Sequence, residues 1–234
     1  MKRLRIVHDD CAESPREWDN VGKMVCWHKR YNLGDAHNYD CDTFLEELAC
    51  NEFPEYADRI EYLKETLYNT LYDCASTDGG LGYFDANDYA VRKVNREVEK
   101  LLETALANVL ILPVYMYDHT GIALSTGRFG CPWDSGQVGF IYCTEDTINR
   151  EFGGDWDKAR KCLESEVSVY SDYANGDCFG YIVEESEKCD CCGNEEWEEI
   201  DSCWGYIGSE HLEDCLRDRL GDDFEELWEG AVWE

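Results

Sequence analysis

Basic residues are scarce in this chain. Of its 234 residues, 21 are Lys or Arg and 52 are Asp or Glu, which gives a formal net charge of −31 at pH 7. A small domain needs a net charge of only about 2–8 in magnitude to stay soluble. A surface this negative repels nucleic acids and anionic membranes, so the composition excludes direct binding to either. The expected partners are cations and proteins with basic grooves.

Long hydrophobic runs and proline are scarce as well. No apolar run approaches the ~20 residues that cross a bilayer, and the first residues, MKRLRIVHDD, lack the apolar segment of a signal peptide. We therefore expect a cytoplasmic protein without membrane contact. With only 4 Pro and 13% aromatic residues, the chain is expected to fold rather than to behave as an acidic disordered tail.

Cysteine, in contrast, is abundant. The 14 cysteines are scattered along the chain without the spacing of a disulfide scaffold, which predicts reduced thiols. A C-x2-C pair, Cys189 and Cys192, precedes Cys203 and follows Cys178, and a zinc site at a hairpin tip is the less favoured interpretation of this set, because only one such pair is present. Because no His lies close in sequence, free thiols in a loop are the alternative.

Hydrophobic periodicity predicts an α+β fold, an antiparallel sheet with flanking helices, as one compact acidic domain over residues 1–234. The segments with helical spacing are 41–50, 55–75, 89–108, 145–152, 155–176, 210–220 and 222–233. The segments with strand-like patterns are 3–10, 23–31, 109–126, 137–144, 177–185 and 198–208. The glycine-rich stretch 76–88 is expected to be a loop.

Two strings are distinctive: ESPREWDN within residues 13–35, and CPWDSGQVG within residues 131–142. Together with the hairpin segments 176–184 and 201–208, they resemble an uncharacterised family of proteins from tailed phages and Gram-positive mobile elements. The resemblance implies no activity and no catalytic residues. It implies a context, the accessory genes of mobile DNA, in which counter-defence proteins are common.

The acids around the first string have two interpretations. A divalent cation such as Mg²⁺ takes oxygen ligands, and such a site would allow hydrolysis of a phosphoester. The candidate ligands, with His8 and His28 nearby, are Asp9, Asp10, Glu13, Glu17 and Asp19. Alternatively, Ser14, Pro15 and Glu17 form a capping box at a helix start, which explains three residues at once.

The second string contains Cys131, with His119 twelve residues earlier. A thiol with a nearby base is one route to nucleophilic catalysis. The signatures of known cysteine enzymes are absent, however, so the interpretation favoured by the sequence is a turn before a strand. In that turn Asp134 and Ser135 would hydrogen-bond to the backbone.

The negative charge is concentrated in the C-terminal third. Residues 151–234 hold 26 acidic and 6 basic residues, whereas residues 1–150 hold 26 and 15. Duplex DNA carries one charge per ~1.7 Å, so this total corresponds to roughly 50 Å of duplex, close to the diameter of about 45 Å expected for a chain of this size. An even spread of acids, as in halophilic proteins, would instead indicate a solvated surface.

We therefore predict an acidic DNA mimic that needs no cofactor and inhibits a basic nucleic-acid-binding protein of the bacterial host, such as a restriction or CRISPR effector. Trp197, Trp204, Trp228 and Trp233 would anchor the interface. The predicted partner-binding acids are Glu164, Glu166, Asp172, Glu195, Glu196, Glu198, Glu199, Glu213, Asp214, Asp218, Asp222, Asp223, Glu225 and Glu226. The alternative function is a metal-dependent hydrolase with its site around residues 8–19.

Overall fold

A computed structural model describes residues 1–78, 82–188 and 195–234, and it has the predicted α+β class. The strands are β1 (Lys2–His8), β2 (Lys23–Cys26), β3 (Val109–Asp118), β4 (Ile122–Ser125), β5 (Ser135–Thr144), β6 (Cys178–Lys188), β7 (Glu195–Ile207) and β8 (Val232–Trp233). The helices are α1 (Phe44–Glu52), α2 (Ala57–Tyr62), α3 (Tyr68–Asp73), α4 (Tyr83–Ala105), α5 (Glu145–Phe152), α6 (Trp156–Asn175), α7 (Ser209–Leu220) and α8 (Phe224–Glu229).

The chain divides into two compact units. The first contains residues 1–35, 111–142 and 155–234, and the second contains residues 36–110 and 143–154. Each unit is assembled from separate stretches of the chain, so neither is one continuous segment. The expected single domain over residues 1–234 stays a prediction.

The first sheet has the strand order β7-β6-β1-β8. β6 is antiparallel to both neighbours, with Leu4 opposite Val183 and Ile6 opposite Tyr181. These four side chains are buried, because the side chains of α7 and α8 pack on the same face of the sheet. Alternation along β1 follows from this arrangement, since Arg3 and Arg5 point to the opposite face.

The second sheet has the strand order β2-β5-β3-β4. Its edge strand β4 packs against α6, whose side chains complete the hydrogen bonding of the edge. The backbone amide of Ile122 donates to Asn175 Oδ1 at 3.0 Å, and the amide of Leu124 donates to Ser171 Oγ at 2.8 Å. An edge strand covered in this way is a poor template for pairing with another chain.

The second unit is mainly helical. Its longest helix, α4, buries Ala86, Ala90, Val94, Val98 and Leu101 on one face. The expected loop over residues 76–88 is wrong at residues 76–78, which belong to the π-helical segment Cys74–Asp78, and from residue 83 onward, where Tyr83–Asp88 form the first turns of α4. Three glycines precede residue 83 in the sequence, and Ala86 and Ala90 carry too little hydrophobicity to extend the apolar stripe of the helix toward its start.

The C-terminus also differs from expectation. The predicted helix over residues 222–233 ends at Glu229, and Val232 and Trp233 pair in parallel with Arg5 and Ile6 of β1. Gly230 ends the helix, and the last residues then gain backbone partners on the sheet: Glu234 N donates to Ile6 O at 2.8 Å. No helix in the described part of the chain is long and apolar enough to span a bilayer.

Candidate interaction surface

The β6–β7 hairpin pairs glutamates directly with glutamates. Glu184 lies opposite Glu199, Glu185 opposite Glu198, and Glu187 opposite Glu196. Paired residues point to the same face of a sheet, so Glu185, Glu187, Glu196 and Glu198 share one face, and all four side chains are exposed. We call these four residues the glutamate ladder.

The charge density of this hairpin is close to that of a nucleic acid. Residues 184–188 and 195–199 include seven Glu and one Lys. Four residue steps along a strand cover about 14 Å, so the ribbon carries one carboxylate per roughly 2 Å of its length. Duplex DNA carries one phosphate charge per ~1.7 Å of axis. Summed over its two faces, the hairpin therefore has a linear density of carboxylates close to the charge density of DNA, and four of the seven carboxylates belong to the glutamate ladder.

The opposite face of the hairpin is partly neutralised. Arg3 Nε donates to Glu184 Oε2 at 2.5 Å, and the Arg3 guanidinium lies 4.0 Å from the ring centroid of Trp197. Arg5 lies 3.7 Å from Glu184 Oε1. Arg3 and Arg5 of β1 thus neutralise part of the charge on this face, so the glutamate ladder is the more negative side of the hairpin.

Helical acids continue the ladder at its base. Lys2 lies beside Glu185 in the register of β1 and β6, and its ammonium donates to Asp223 at 2.7 Å. The hydrogen bond to Asp223 and then the charges of Asp223 and Glu185 raise the pKa of Lys2. One cation is therefore shared between the ladder and the turn before α8. Residues 209–234 contain ten acidic and two basic residues, so this end of the molecule stays strongly negative.

The base of the hairpin is fixed to α7 by a second contact. Arg219 donates to both carboxylate oxygens of Asp201 at 2.8 Å, and the Tyr181 hydroxyl donates to Asp201 Oδ2 at 2.9 Å. The hydrogen bond from Arg219 is the main cause that lowers the pKa of Asp201, while burial raises the pKa of Tyr181. These contacts hold the ribbon and α7 in one arrangement.

Most of the predicted partner-binding acids are exposed. The exposed ones are Glu164, Glu195, Glu196, Glu198, Glu199, Asp214, Asp218, Asp222, Asp223, Glu225 and Glu226. Glu213 is partly buried and pairs with Arg217, which also contacts Glu225. Asp172 is partly buried too, and lies in a cavity described below. The sequence prediction missed Glu185 and Glu187, although their alternation along β6 carried the signal.

Glu166 is different, because it belongs to a buried network. Its carboxylate accepts hydrogen bonds from the backbone amides of Val21 and Gly22 and from Arg16 Nη1 at 3.1 Å. The side chain is only 11% exposed. Glu166 therefore fixes the loop before β2 to helix α6 and is not available to a partner, which corrects its place in the predicted set.

Arg16 is the centre of this network and explains the ESPREWDN string. Its side chain, 4% exposed, also donates to both oxygens of Asp35 at 2.8 and 2.9 Å and to the Gly22 carbonyl at 2.6 Å. Despite the cost of burial, the hydrogen bonds to Asp35 and Glu166 raise the pKa of Arg16. The string thus locks a loop in place by a charge cluster in which every donor has a partner.

The same segment begins a helix at Ser14 and Pro15 as expected, but the capping box with Glu17 is not formed, because the Glu17 amide donates to the Ser14 carbonyl at 2.9 Å. Ser14 Oγ accepts from the Arg16 amide at 3.2 Å, and Pro15 is the first residue of a short 3-10 helix, Pro15–Glu17.

Asp9 accepts from the amides of Cys11 and Gly205. Within residues 1–78, 82–188 and 195–234, no three His, Cys, Asp or Glu side chains are grouped so as to hold a metal ion.

The structure places some of the cysteine candidates. Cys131 Sγ donates to Asp134 Oδ2 at 3.4 Å, and His119 lies 3.8 Å from the same carboxylate, so the carboxylate stands between thiol and imidazole. Ser135 Oγ donates to the Cys131 carbonyl at 2.5 Å, as the turn interpretation predicts. Cys203 lies on β7 and Cys178 on β6, whereas Cys189 and Cys192 lie outside the described residues.

The predicted tryptophan anchors have different environments. Trp204 and Trp233 are about half exposed, at 48% and 51%. Trp197 lies under Arg3, and Trp228 stacks on Phe224 with ring centroids 5.6 Å apart. Trp204 covers Gly180, where an added Cβ would lie 2.2 Å from the indole. Trp204 and Trp233 are therefore the two that a partner can reach.

Neither a family model, nor a curated protein, nor a solved structure matches this chain. The interpretation of the site therefore depends on its geometry and charge.

Proposed function

We propose that this protein is an acidic DNA mimic that occupies the phosphate-binding groove of a host nucleic-acid-binding protein, of the restriction or CRISPR effector class. The observation that carries the proposal is the glutamate ladder. Its cross-strand pairs bring Glu185 beside Glu198 and Glu187 beside Glu196 at the spacing of directly opposed residues, about 5 Å between Cβ atoms.

The glutamate ladder lowers the stability of the free protein, which acids spread over a solvated surface do not do. Like charges directly opposite in an antiparallel pair destabilise the sheet, and a Lys on either strand would relieve the repulsion. A partner that brings Lys and Arg to the ladder provides the same relief on binding. Repulsion in the free protein thus becomes attraction in the complex, which supports a binding role over a solubility role.

The form of the charge supports a groove that normally grips phosphates. The ribbon is narrow, its carboxylates follow one another at nearly the density of DNA phosphates, and its base is held by Asp201 and Arg219. Such a surface releases its associated cations when a basic groove neutralises it, as DNA does. Association is therefore expected to be fast and strongly dependent on salt.

The choice of target class is an expectation taken from the resemblance of the two sequence strings to proteins of phages and mobile elements, and not from the geometry of the site. Elements of that kind meet restriction and CRISPR effectors in the host cytoplasm. These enzymes bind DNA through extended basic grooves, which makes them the class of partner with the right charge.

The test compares two variants of equal charge. In the first, the ladder is neutralised by Glu185→Gln, Glu187→Gln, Glu196→Gln and Glu198→Gln. In the control, four exposed glutamates of the second unit are changed by Glu52→Gln, Glu55→Gln, Glu61→Gln and Glu65→Gln. Each variant is immobilised, exposed to a purified restriction or CRISPR effector at 50 mM salt, and eluted with duplex DNA as competitor.

We expect the parent and the control to retain the effector and to release it when duplex DNA or 200 mM salt is added. The ladder variant is expected to bind at least tenfold more weakly. Equal binding by both variants would place the interaction elsewhere, and capture that duplex DNA cannot compete would exclude mimicry of DNA.

A further inference from the structure

A cavity of about 700 Å³ lies in the first unit, at the N-terminal end of α7. Its volume is within the range of small-molecule and side-chain sites, about 300–1,000 Å³. Residues from three separate stretches of the chain line it, and Trp18, Val169 and Ile207 form its apolar wall. The remaining lining is polar, with Asp172, Asp177 and Glu210 as its charged members.

Among the residues that the structure describes, no Lys or Arg forms an ion pair with Asp172, Asp177 or Glu210. His211 also lines the cavity, and Asp177 Oδ2 accepts from Asn175 Nδ2 at 2.8 Å. Burial, followed by the charges of Asp177 and Glu210, raises the pKa of Asp172. Elsewhere in the same unit, carboxylates at a comparable depth, such as Glu166 and Glu184, are matched by arginines. Among the described residues, the cavity thus holds three carboxylates without a Lys or Arg partner beside an apolar wall.

The backbone is arranged to bring these carboxylates together. Gly208, which precedes α7, has φ +83°, and an added Cβ there would lie 2.9 Å from Asp172 Oδ2. The Gly208 amide donates to the Asp177 carbonyl at 2.8 Å, and the Asp177 amide donates to the Asp172 carbonyl at 2.9 Å. Glycine at this position therefore allows the Asp172 carboxylate to approach the start of the helix.

The aromatic wall is held in place as well. Trp18 follows Arg16 in the ESPREWDN string, and its indole is 49% exposed. Arg16 anchors this loop to Asp35 and Glu166, while Asn20 Nδ2 donates to the carbonyls of Pro15 and Trp18 at 2.8 and 3.0 Å. A rigid, half-exposed indole next to carboxylates without a Lys or Arg partner is the usual environment of a bound organic cation.

We infer that this cavity receives the guanidinium group of an arginine side chain of the basic partner. The inference depends on the proposed function for the partner's nature, but the cavity itself does not include the glutamate ladder. Arginine fits better than lysine, because its planar group stacks on an indole face while its N–H groups reach two carboxylates at once. Trp18 would supply the stacking surface and Asp172 with Asp177 the acceptors.

A single blocked amino acid tests the cavity without the partner. The probes are N-acetyl-arginine amide and its neutral isostere N-acetyl-citrulline amide, titrated at millimolar concentration into the full-length protein. The readout is the NMR signal of the Trp18 indole N–H, assigned from its loss in Trp18→Phe. We expect a saturable shift with the arginine probe and none with the citrulline probe.

Variants separate this site from the ladder. Asp177→Asn is expected to weaken arginine binding by roughly threefold to thirtyfold, the range for losing one electrostatic contact at a partly desolvated cation site. The four-residue ladder variant should show the same shift as the parent. If arginine and citrulline shift Trp18 equally, or if neither does, the inference is wrong.

The two proposals can fail independently. If the effector binds the parent and the ladder variant does not, but no arginine shift occurs, the DNA-mimic function stands and the cavity assignment falls. If the arginine shift occurs while no effector binds, the cavity recognises a guanidinium group and the partner class is wrong. Should Ca²⁺ alone produce the Trp18 shift at micromolar concentration, the site is a cation site of another kind and the arginine inference is overturned.

Discussion

Arg16 and Asp35 form a two-point ion pair, with Nε–Oδ1 at 2.8 Å and Nη2–Oδ2 at 2.9 Å, on a side chain that is only 4% exposed. The pair joins the loop before β2 to the residues that follow it. Asp35 Oδ2 also accepts from the Met24 amide at 2.8 Å, so the carboxylate supports the strand itself. A buried cluster of this kind specifies one loop conformation and tolerates the removal of a partner poorly.

Arg16→Met is therefore expected to reduce the free energy of unfolding by about 3–5 kcal/mol, because Asp35 and Glu166 would be left partly buried without their cation. Chemical denaturation at neutral pH measures the change. The matched control is Arg92→Met, which removes an exposed i,i+4 pair with Asp88 and should change the free energy by under about 0.5 kcal/mol. A similar loss of unfolding free energy in both variants would show that the Arg16 network stabilises the fold no more than an exposed ion pair does.

Neutralising the ladder is expected to stabilise the free protein. The variant Glu196→Gln with Glu198→Gln removes one member of each like-charged pair and leaves Glu185 beside Lys2, which should raise the free energy of unfolding by roughly 0.2–1 kcal/mol per pair at low salt. Because salt screens exposed charges, the gain should shrink between 10 mM and 1 M NaCl, as measured by thermal unfolding. A loss of stability at low salt would mean that these glutamates have favourable contacts in the folded state.

Asp172 gives a pH dependence with a definite sign. Its pKa in the folded protein is raised above the ordinary value of 3.8, mainly by burial and then by Asp177 and Glu210. Between the two values the folded state holds a proton that the unfolded state has lost, so the stability contribution of this group falls as pH rises through that window. Asp172→Asn should therefore be more stable than the parent at pH 7, and the difference should disappear near pH 3.

The comparison is made by urea denaturation of both proteins at several pH values. Subtracting the two free energies of unfolding at each pH removes the contribution of acids whose pKa is lowered by their partners, such as Asp201, because both proteins contain them. If Asp172→Asn is less stable than the parent at every pH, the carboxylate must be accepting hydrogen bonds that the amide cannot replace.

The sequence predicted elements where a local signal was strong. Gly176 was recognised as the end of α6 and has φ +85°, the conformation that glycine adopts at little cost. The hairpin of β6 and β7 was recognised from alternation. Strand β8 is not predictable from the sequence, because its two residues show no periodicity and they pair with β1, which lies at the other end of the sequence.

The site was predictable only in part for a related reason. Composition and the positions of the acids in the sequence indicate a negative C-terminal third. They do not distinguish Glu164, which is exposed, from Glu166, which is paired inside the fold. Only the fold shows that Glu166 faces Arg16, 150 positions away. The register that places Glu187 opposite Glu196 likewise depends on the bulge between Val183 and Glu184, which residue patterns do not reveal.

The thiols are expected to differ sharply in reactivity. Cys26 is 8% exposed, and burial followed by the charge of Asp35 raises its pKa to about 12. The thiolate is the reactive form, so iodoacetamide at pH 8 should modify Cys26 at least a hundredfold more slowly than the exposed Cys11 and Cys41. Mass spectrometry of timed digests gives the rates. In Asp35→Asn the charge that helps to suppress the Cys26 thiolate is removed and the Arg16 network is weakened, so alkylation should accelerate. Rapid modification of Cys26 in the parent would show that the core beside β2 opens readily.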